Sequence, residues 1–137
     1  MKAVLDTNVI AYLLLGTEIF IDEARACVAF VTAPIAPAHW EAELGNVIWM
    51  AARTGVLPAE EAANRLALAR QLGIEPVAVG GLMQGALLRS LATGIAVYDT
   101  LFVELATRAA CPLATFDKAL LKAFPDVARR PGTLVSR

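Results

Sequence analysis

Three short apolar segments in this chain each hand over to an aspartate that opens a helical pattern. Residues 3–5 lead into Asp6, residues 95–98 into Asp99, and residues 112–115, after Phe116, into Asp117. Runs of three or four apolar residues between turn signals read as buried strands. Small polar residues behind the acid, Thr7 and Asn8 in the first case, mark the entry to a helix. Short strands alternating with helices indicate an α/β fold, a parallel sheet flanked by helices on both faces. Such a sheet brings the carboxyl ends of its strands to one edge, where ligands bind. The recurring acid therefore constrains both the fold and the place of its chemistry.

In chain order, the spacing predicts a strand over 3–5 and a helix over 9–15 stopped by Gly16. A helix capped by Thr17 and running to about Phe30 follows, with Ala24, Cys27 and Val31 on its inner face. Residues 32–37 form a strand whose Pro34 and Pro37 place it at a sheet edge or put the prolines at strand ends. A strongly apolar helix over 39–53 carries Glu43 at the border of its buried stripe, where a carboxylate is poorly solvated unless something cationic faces it. A helix from Pro58 to about Leu72, a strand over 74–79 and a helix over 82–92 come next. Then come a helix from Asp99 to about Ala110, a strand over 112–115 and a helix over 118–124. An extended piece over 132–136 adds an edge strand. Glu61 with Arg65, and Glu104 with Arg108, are i, i+4 pairs on outer faces. There is no internal repeat and no linker, so residues 1–137 are read as one domain.

Composition narrows the chemistry. Hydrophobic residues make up 58% of the chain, against roughly 45–50% for an average domain. Yet no uncharged apolar run approaches the ~18 residues of a membrane span, and the first residues make a poor signal peptide. The expectation is a cytoplasmic protein with no membrane role, whose excess apolar surface meets a partner. Cys27 and Cys111 lack metal-site spacing and read as buried thiols. With His39 the sole histidine, a zinc site is disfavoured, and any metal must be held by oxygen. The net charge of −1 gives no bulk signature of nucleic-acid binding.

Each aspartate alone reads equally well as a helix cap. Four carboxylates at one sheet edge, Asp6, Glu43, Asp99 and Asp117, would repel one another unless protonated or bridged by cations. Divalent cations relieve that repulsion and give the acids a role: lowering the pKa of a water and stabilising the leaving oxygen of a phosphodiester. Thr7, Asn8, Asn46 and Thr115 stand close enough in sequence to orient these acids or bind water beside a metal, although turn, cap or backbone-bonding roles account for them as well. Lys118 could steer a phosphate, although a solvated helix-start lysine is the commoner case.

The stretches VLDTNVI (4–10), ELGN (43–46), VYDTLFVELA (97–106) and LATFD (113–117), in this order, resemble the PIN-domain pattern, and the whole length resembles VapC-type toxins of type II toxin–antitoxin systems. The resemblance implies a magnesium- or manganese-dependent endoribonuclease that hydrolyses RNA phosphodiesters with a metal-activated water. It matches Asp6, Glu43, Asp99 and Asp117 to the family's metal-binding acids, and Thr7 and Thr115 to its polar neighbours. It also implies a cognate antitoxin across the groove and a homodimer. Phe116 departs from the pattern, standing where the family often has a small residue. A haloacid-dehalogenase-type phosphatase would want a second aspartate at Asn8, and a receiver domain would want paired acids after the first strand. A PIN-like protein that only binds a protein or RNA partner is the remaining alternative, and the retention of all four acids weighs against it.

Overall fold

Val4 stands in register with Ile35 on one side and Leu113 on the other, so the first strand is the centre of the sheet. A computed structural model describes residues 1–135. Its five parallel strands are β1 (Lys2–Leu5), β2 (Ala33–Pro37), β3 (Glu75–Val77), β4 (Leu113–Ala114) and β5 (Ala128–Arg129), in the order β3-β2-β1-β4-β5. The helices are α1 (Thr7–Leu15), α2 (Ile21–Phe30), α3 (Trp40–Arg53), α4 (Ala62–Arg70), α5 (Met83–Thr93), α6 (Val97–Arg108), α7 (Lys118–Ala123) and α8 (Pro131–Val135). The chain lays down β1, β2 and β3 in one direction and then returns past β1 to add β4 and β5. Right-handed crossovers place the helices before and after such a reversal on opposite faces. Accordingly α1, α3 and α4 pack together, and α5 packs on α6.

The reversal falls between β1 and β4. Ligands in open α/β sheets bind at such a point, and Asp6 and Asp117 follow these two strands. Val4, Leu5, Val9, Leu44, Phe102 and Leu113 are fully buried around it. Helix α6 is the most enclosed, with Thr100 to Ala106 all buried. Among the described residues no single helix is long and apolar enough to cross a membrane.

Several expectations need correction. The prolines of β2 do not mark a sheet edge, since β2 lies between β1 and β3. They mark strand ends: Pro34 precedes the first residue paired to β3, Ile35, and Pro37 is the last of the strand. Thr17 does not cap α2. Its carbonyl accepts from Phe20 and Ile21 in a separate turn before the helix begins. Helix α6 starts at Val97, so Asp99 sits inside its first turn and does not open it. The piece expected as a strand over 132–136 is instead helix α8, with Ser136 outside the described residues. Pro131, with φ fixed by its ring, suits a first helical position, and the Gly132 amide and Arg130 guanidinium both bond Glu23 of α2. The edge strand forms earlier, where Thr115 N–H donates to Arg129 O at 3.0 Å.

Glu104 is the other correction. It pairs with Arg108, as the spacing predicts, but it is 8% exposed and not on an outer face. Arg89 of α5 reaches it from the far side at 3.0 Å. Gly85 makes room for this junction: a Cβ there would lie 2.3 Å from the Glu104 carboxyl carbon. Gly85→Ala is therefore expected to destabilise by roughly 1–3 kcal/mol through overpacking. In a Glu104→Ala background the same change should become neutral or stabilising, because alanine is the better helix former. Urea denaturation of the two single variants and the double variant measures this coupling, and additive effects would refute it.

Candidate active site

Helix α1 starts at Thr7, with Asp6 as its cap residue in extended backbone, yet the Asp6 side chain makes no capping bond. Instead the carboxylate turns inward and is 6% exposed. Thr115, directly after β4, donates its hydroxyl to Asp6 Oδ2 at 2.7 Å and accepts from the Asp117 amide at 2.9 Å. Asn8 completes this clamp. Its Nδ2 lies 3.4 Å from both Asp6 Oδ2 and Thr115 Oγ1, and its Oδ1 accepts from Phe116 N–H at 3.3 Å. The polar neighbours of the two acids thus tie the ends of the adjacent strands β1 and β4 together.

Glu43, near the start of α3, receives the Thr7 hydroxyl at 2.9 Å. His39, one turn earlier, lies 3.6 Å from the same oxygen. Its Nε2 is 3.0 Å from Tyr98 O, so the ring carries a proton on Nε2 and donates it there. Asp99 has no hydrogen bond or ion pair to its carboxylate among the described residues. Asp117 spends one carboxylate oxygen on capping α7, accepting from the Ala119 and Leu120 amides at 2.8 and 3.2 Å.

Asp6, Thr7, Asn8, Glu43, Asp99 and Asp117 line one cleft of about 300 Å³, with Ala11, Tyr12 and Val47 as apolar walls. The fold therefore brings the four predicted acids to one opening. They face the opening without closing on one point: among the described residues no three acidic, histidine or cysteine side chains are placed to hold an ion directly. Asn46 is exposed and lines an adjoining hollow instead. Lys118 is exposed beside Asp117 and does not line the cleft. A hollow of about 360 Å³ bounded by Thr107, Cys111, Asp126 and Arg129 lies at the amino ends of β4 and β5, away from these acids. Spacing alone gave no sign of the aromatic wall. Tyr12 stacks on Phe20 with centroids 4.6 Å apart, and Phe116 meets both rings.

The PIN domain family model matches residues 3–128. The chain belongs to the PIN-domain family. Over 125 residues it is 32% identical to Ribonuclease VapC3 of two Mycobacterium tuberculosis strains, covering 91% of this chain and 89% of that one. The same fold recurs in PAE2754 from Pyrobaculum aerophilum, with a TM-score of 0.73 and 19% identity over all of this chain and 88% of the other. It also recurs in a toxin–antitoxin complex from Klebsiella pneumoniae, with a TM-score of 0.66 and 18% identity, over 94% and 97% of the two chains. VapBC2 from Rickettsia felis, bound to a DNA fragment from its promoter, matches with a TM-score of 0.67 and 13% identity, over 95% and 98%.

The electrostatics of this PIN domain are those of a cluster of acids beside which, among the described residues, no lysine or arginine is placed. Burial pushes Asp6 up to about 7. The Thr115 hydrogen bond opposes the rise, and the charges of Asp99 and Glu43 add to it. Burial also raises Glu43, against the Thr7 hydrogen bond and His39, and Asp99 contributes to the rise. Asp99 is raised by burial and by Asp117. Both cysteines are free, and burial pushes the Cys27 thiol up to about 11.

Asp6 titrates near 3.8 when unfolded and about 7 when folded, so the native state holds the extra proton between these values. Stability is then highest on the acid side and is lost as pH rises toward 7. In chelator-containing buffer, the unfolding free energy should fall by on the order of 2–3 kcal/mol between pH 5 and pH 8. Asp6→Asn should remove most of that slope. Urea titrations at several pH values check this, and an unchanged slope would show that Asp6 is not the group responsible.

Proposed function

We propose that this chain is a divalent-metal-dependent endoribonuclease and the toxin of a type II toxin–antitoxin module. The observation that carries the reading is Asp6, an almost fully buried carboxylate facing three further acids in an open cleft that, among the described residues, no lysine or arginine lines. Such a cluster stays ionised together only if a cation from solution joins it. The donor set is oxygen only, which fits magnesium or manganese and not zinc. Magnesium takes one or two carboxylates directly and keeps several waters. That habit suits a cleft whose acids face one opening without converging on one point. Similarity to Ribonuclease VapC3 supports RNA as the substrate.

Asp6 and Asp99 are the acids proposed to hold the cation, with Glu43 and Asp117 completing the oxygen set. When bound, a divalent cation supplies a water of lowered pKa and offsets charge on a phosphodiester. The protein's own groups fix the geometry. Thr115 holds Asp6 Oδ2 in place, Thr7 holds Glu43, and Asn8 keeps the β1 and β4 ends in register. The α7 amides orient Asp117, and the His39 ring, held on the Tyr98 carbonyl, lies 3.6 Å from Glu43.

An antitoxin partner fits the fold's occurrence in toxin–antitoxin complexes. Contact with a second copy fits the apolar surface on α5, where Leu87, Leu88 and Leu91 are 48%, 60% and 75% exposed.

Purified protein from a nuclease-free host should cleave RNA with Mg²⁺ or Mn²⁺ and stop on EDTA. Asp6→Asn should lose at least about 100-fold in rate, on the scale of removing one preorganised electrostatic group, with the fold intact by circular dichroism. Mn²⁺ at 100 times its Kd should also stabilise the wild type at pH 8 by about 2.7 kcal/mol, and Asp6→Asn far less. Full cleavage by Asp6→Asn would sink the assignment.

A further inference from the structure

Beside the acidic cleft lies a second hollow, of about 500 Å³, lined by His39, Ala42, Glu43, Asn46, Val47 and Tyr98. Glu43 and Val47 line both depressions, so the two adjoin across these side chains. Tyr98 precedes Asp99, so its Cα is about 3.8 Å from that of a cleft acid. Its side chain is 68% exposed, a large aromatic surface left open at the edge of the hollow. Its backbone is fixed, because His39 donates to its carbonyl at 3.0 Å. The His39 ring in turn rests on buried Phe102, with centroids 5.2 Å apart. Asn46 is exposed, and among the described residues no group hydrogen-bonds its amide.

The charge pattern decides what such a hollow can take. Among the described residues no lysine or arginine lines either depression, so these residues offer a nucleic-acid backbone no lysine or arginine counter-charge there. Affinity beyond what cations in the acidic cleft supply must come from the bases. An exposed ring on a fixed backbone stacks a base at little ordering cost, and an amide reads a base edge. Paired bases are already stacked and present no free face. We infer that the hollow is a base-binding subsite, in which Tyr98 stacks, and Asn46 reads, one unpaired nucleobase next to the phosphate at the acids. This rests on the ribonuclease reading above, and it adds the two side chains that hold the base.

The test uses the wild type, Tyr98→Ala, Tyr98→Phe and Asn46→Ala, all at exposed positions, with folding checked by thermal melts. One measurement is cleavage of a mixed-sequence single-stranded RNA with Mn²⁺. The other is fluorescence anisotropy of a labelled single-stranded pentaribonucleotide, intact or with one abasic ribose, with the matching duplex as competitor. Tyr98→Ala should weaken binding by about 5- to 100-fold, the range for loss of one base stack, with the loss in cleavage falling mainly on KM. Tyr98→Phe should recover most of it. Asn46→Ala should change which base is preferred at one position, and the duplex should compete poorly. If Tyr98→Ala cleaves with wild-type KM and base preference, the subsite is wrong and the nuclease reading stands. If the wild type binds in a Tyr98-dependent way but cuts nothing, the nuclease reading fails and the subsite stands. Absence of both binding and cleavage overturns both, and equal competition by duplex overturns the single-strand assignment.

Discussion

The structure turns on one unfavourable arrangement: the Asp6 carboxylate, at the end of the central strand, is withdrawn from water without a protein cation to meet it. A buried charge costs several kcal/mol unless something compensates it. Among the described residues the closest side-chain compensation is the Thr115 hydroxyl, helped by the Thr7 backbone amide and a long contact from Asn8. Thr115 directly follows β4, the strand that joins β1 where the chain reverses across the sheet. The same bond therefore orients the acid and ties together the two strands that form the cleft. Thr7, next along the chain, does the corresponding job for Glu43 on α3.

Glu104 shows what the chain does with a buried acid when only packing is at stake. Burial alone would raise its carboxyl, but hydrogen bonds from Arg108 and Arg89 outweigh it and hold the group below the usual range. Gly85 clears the space for that carboxylate. Asp6, Glu43 and Asp99 receive no arginine among the described residues, and all move the other way. The difference lies in partners more than in depth. It separates an acid that holds two helices together from acids left to meet something from solution.

Much of the site was legible because it follows local rules. Asp6 and Asp117 stand after apolar strands, and a parallel sheet sends strand ends to one edge. Glu43 announced itself by position, since a carboxylate bordering an apolar stripe needs a partner. Other features were not legible. Glu104 and Arg108 looked like a solvated i, i+4 pair, because sequence spacing does not reveal that α5 covers them. Residues 128–129 are too short to show strand periodicity and pair only because β4 lies alongside. Residues 131–135 looked extended and became a helix docked on Glu23. Asn46, one turn from Glu43, was assigned to the acids' surroundings, but its direction on α3 carries it into the neighbouring hollow.

By itself, the sequence determined the alternation of strand and helix and singled out the four acids that line one cleft. Each depends on residue type and short-range spacing, which the chain carries wherever it folds. Tertiary structure decided the strand order, with β1 in the middle, and so which strand ends adjoin. It also decided which acids have cations and which do not, and it joined His39 to Tyr98, 59 residues apart, as the wall of a hollow. These are long-range pairings between segments distant in sequence. Their outcome depends on which faces are buried together, and Val4-Leu5-Asp6 gained its chemical meaning only when Thr115, 109 residues later, closed on it.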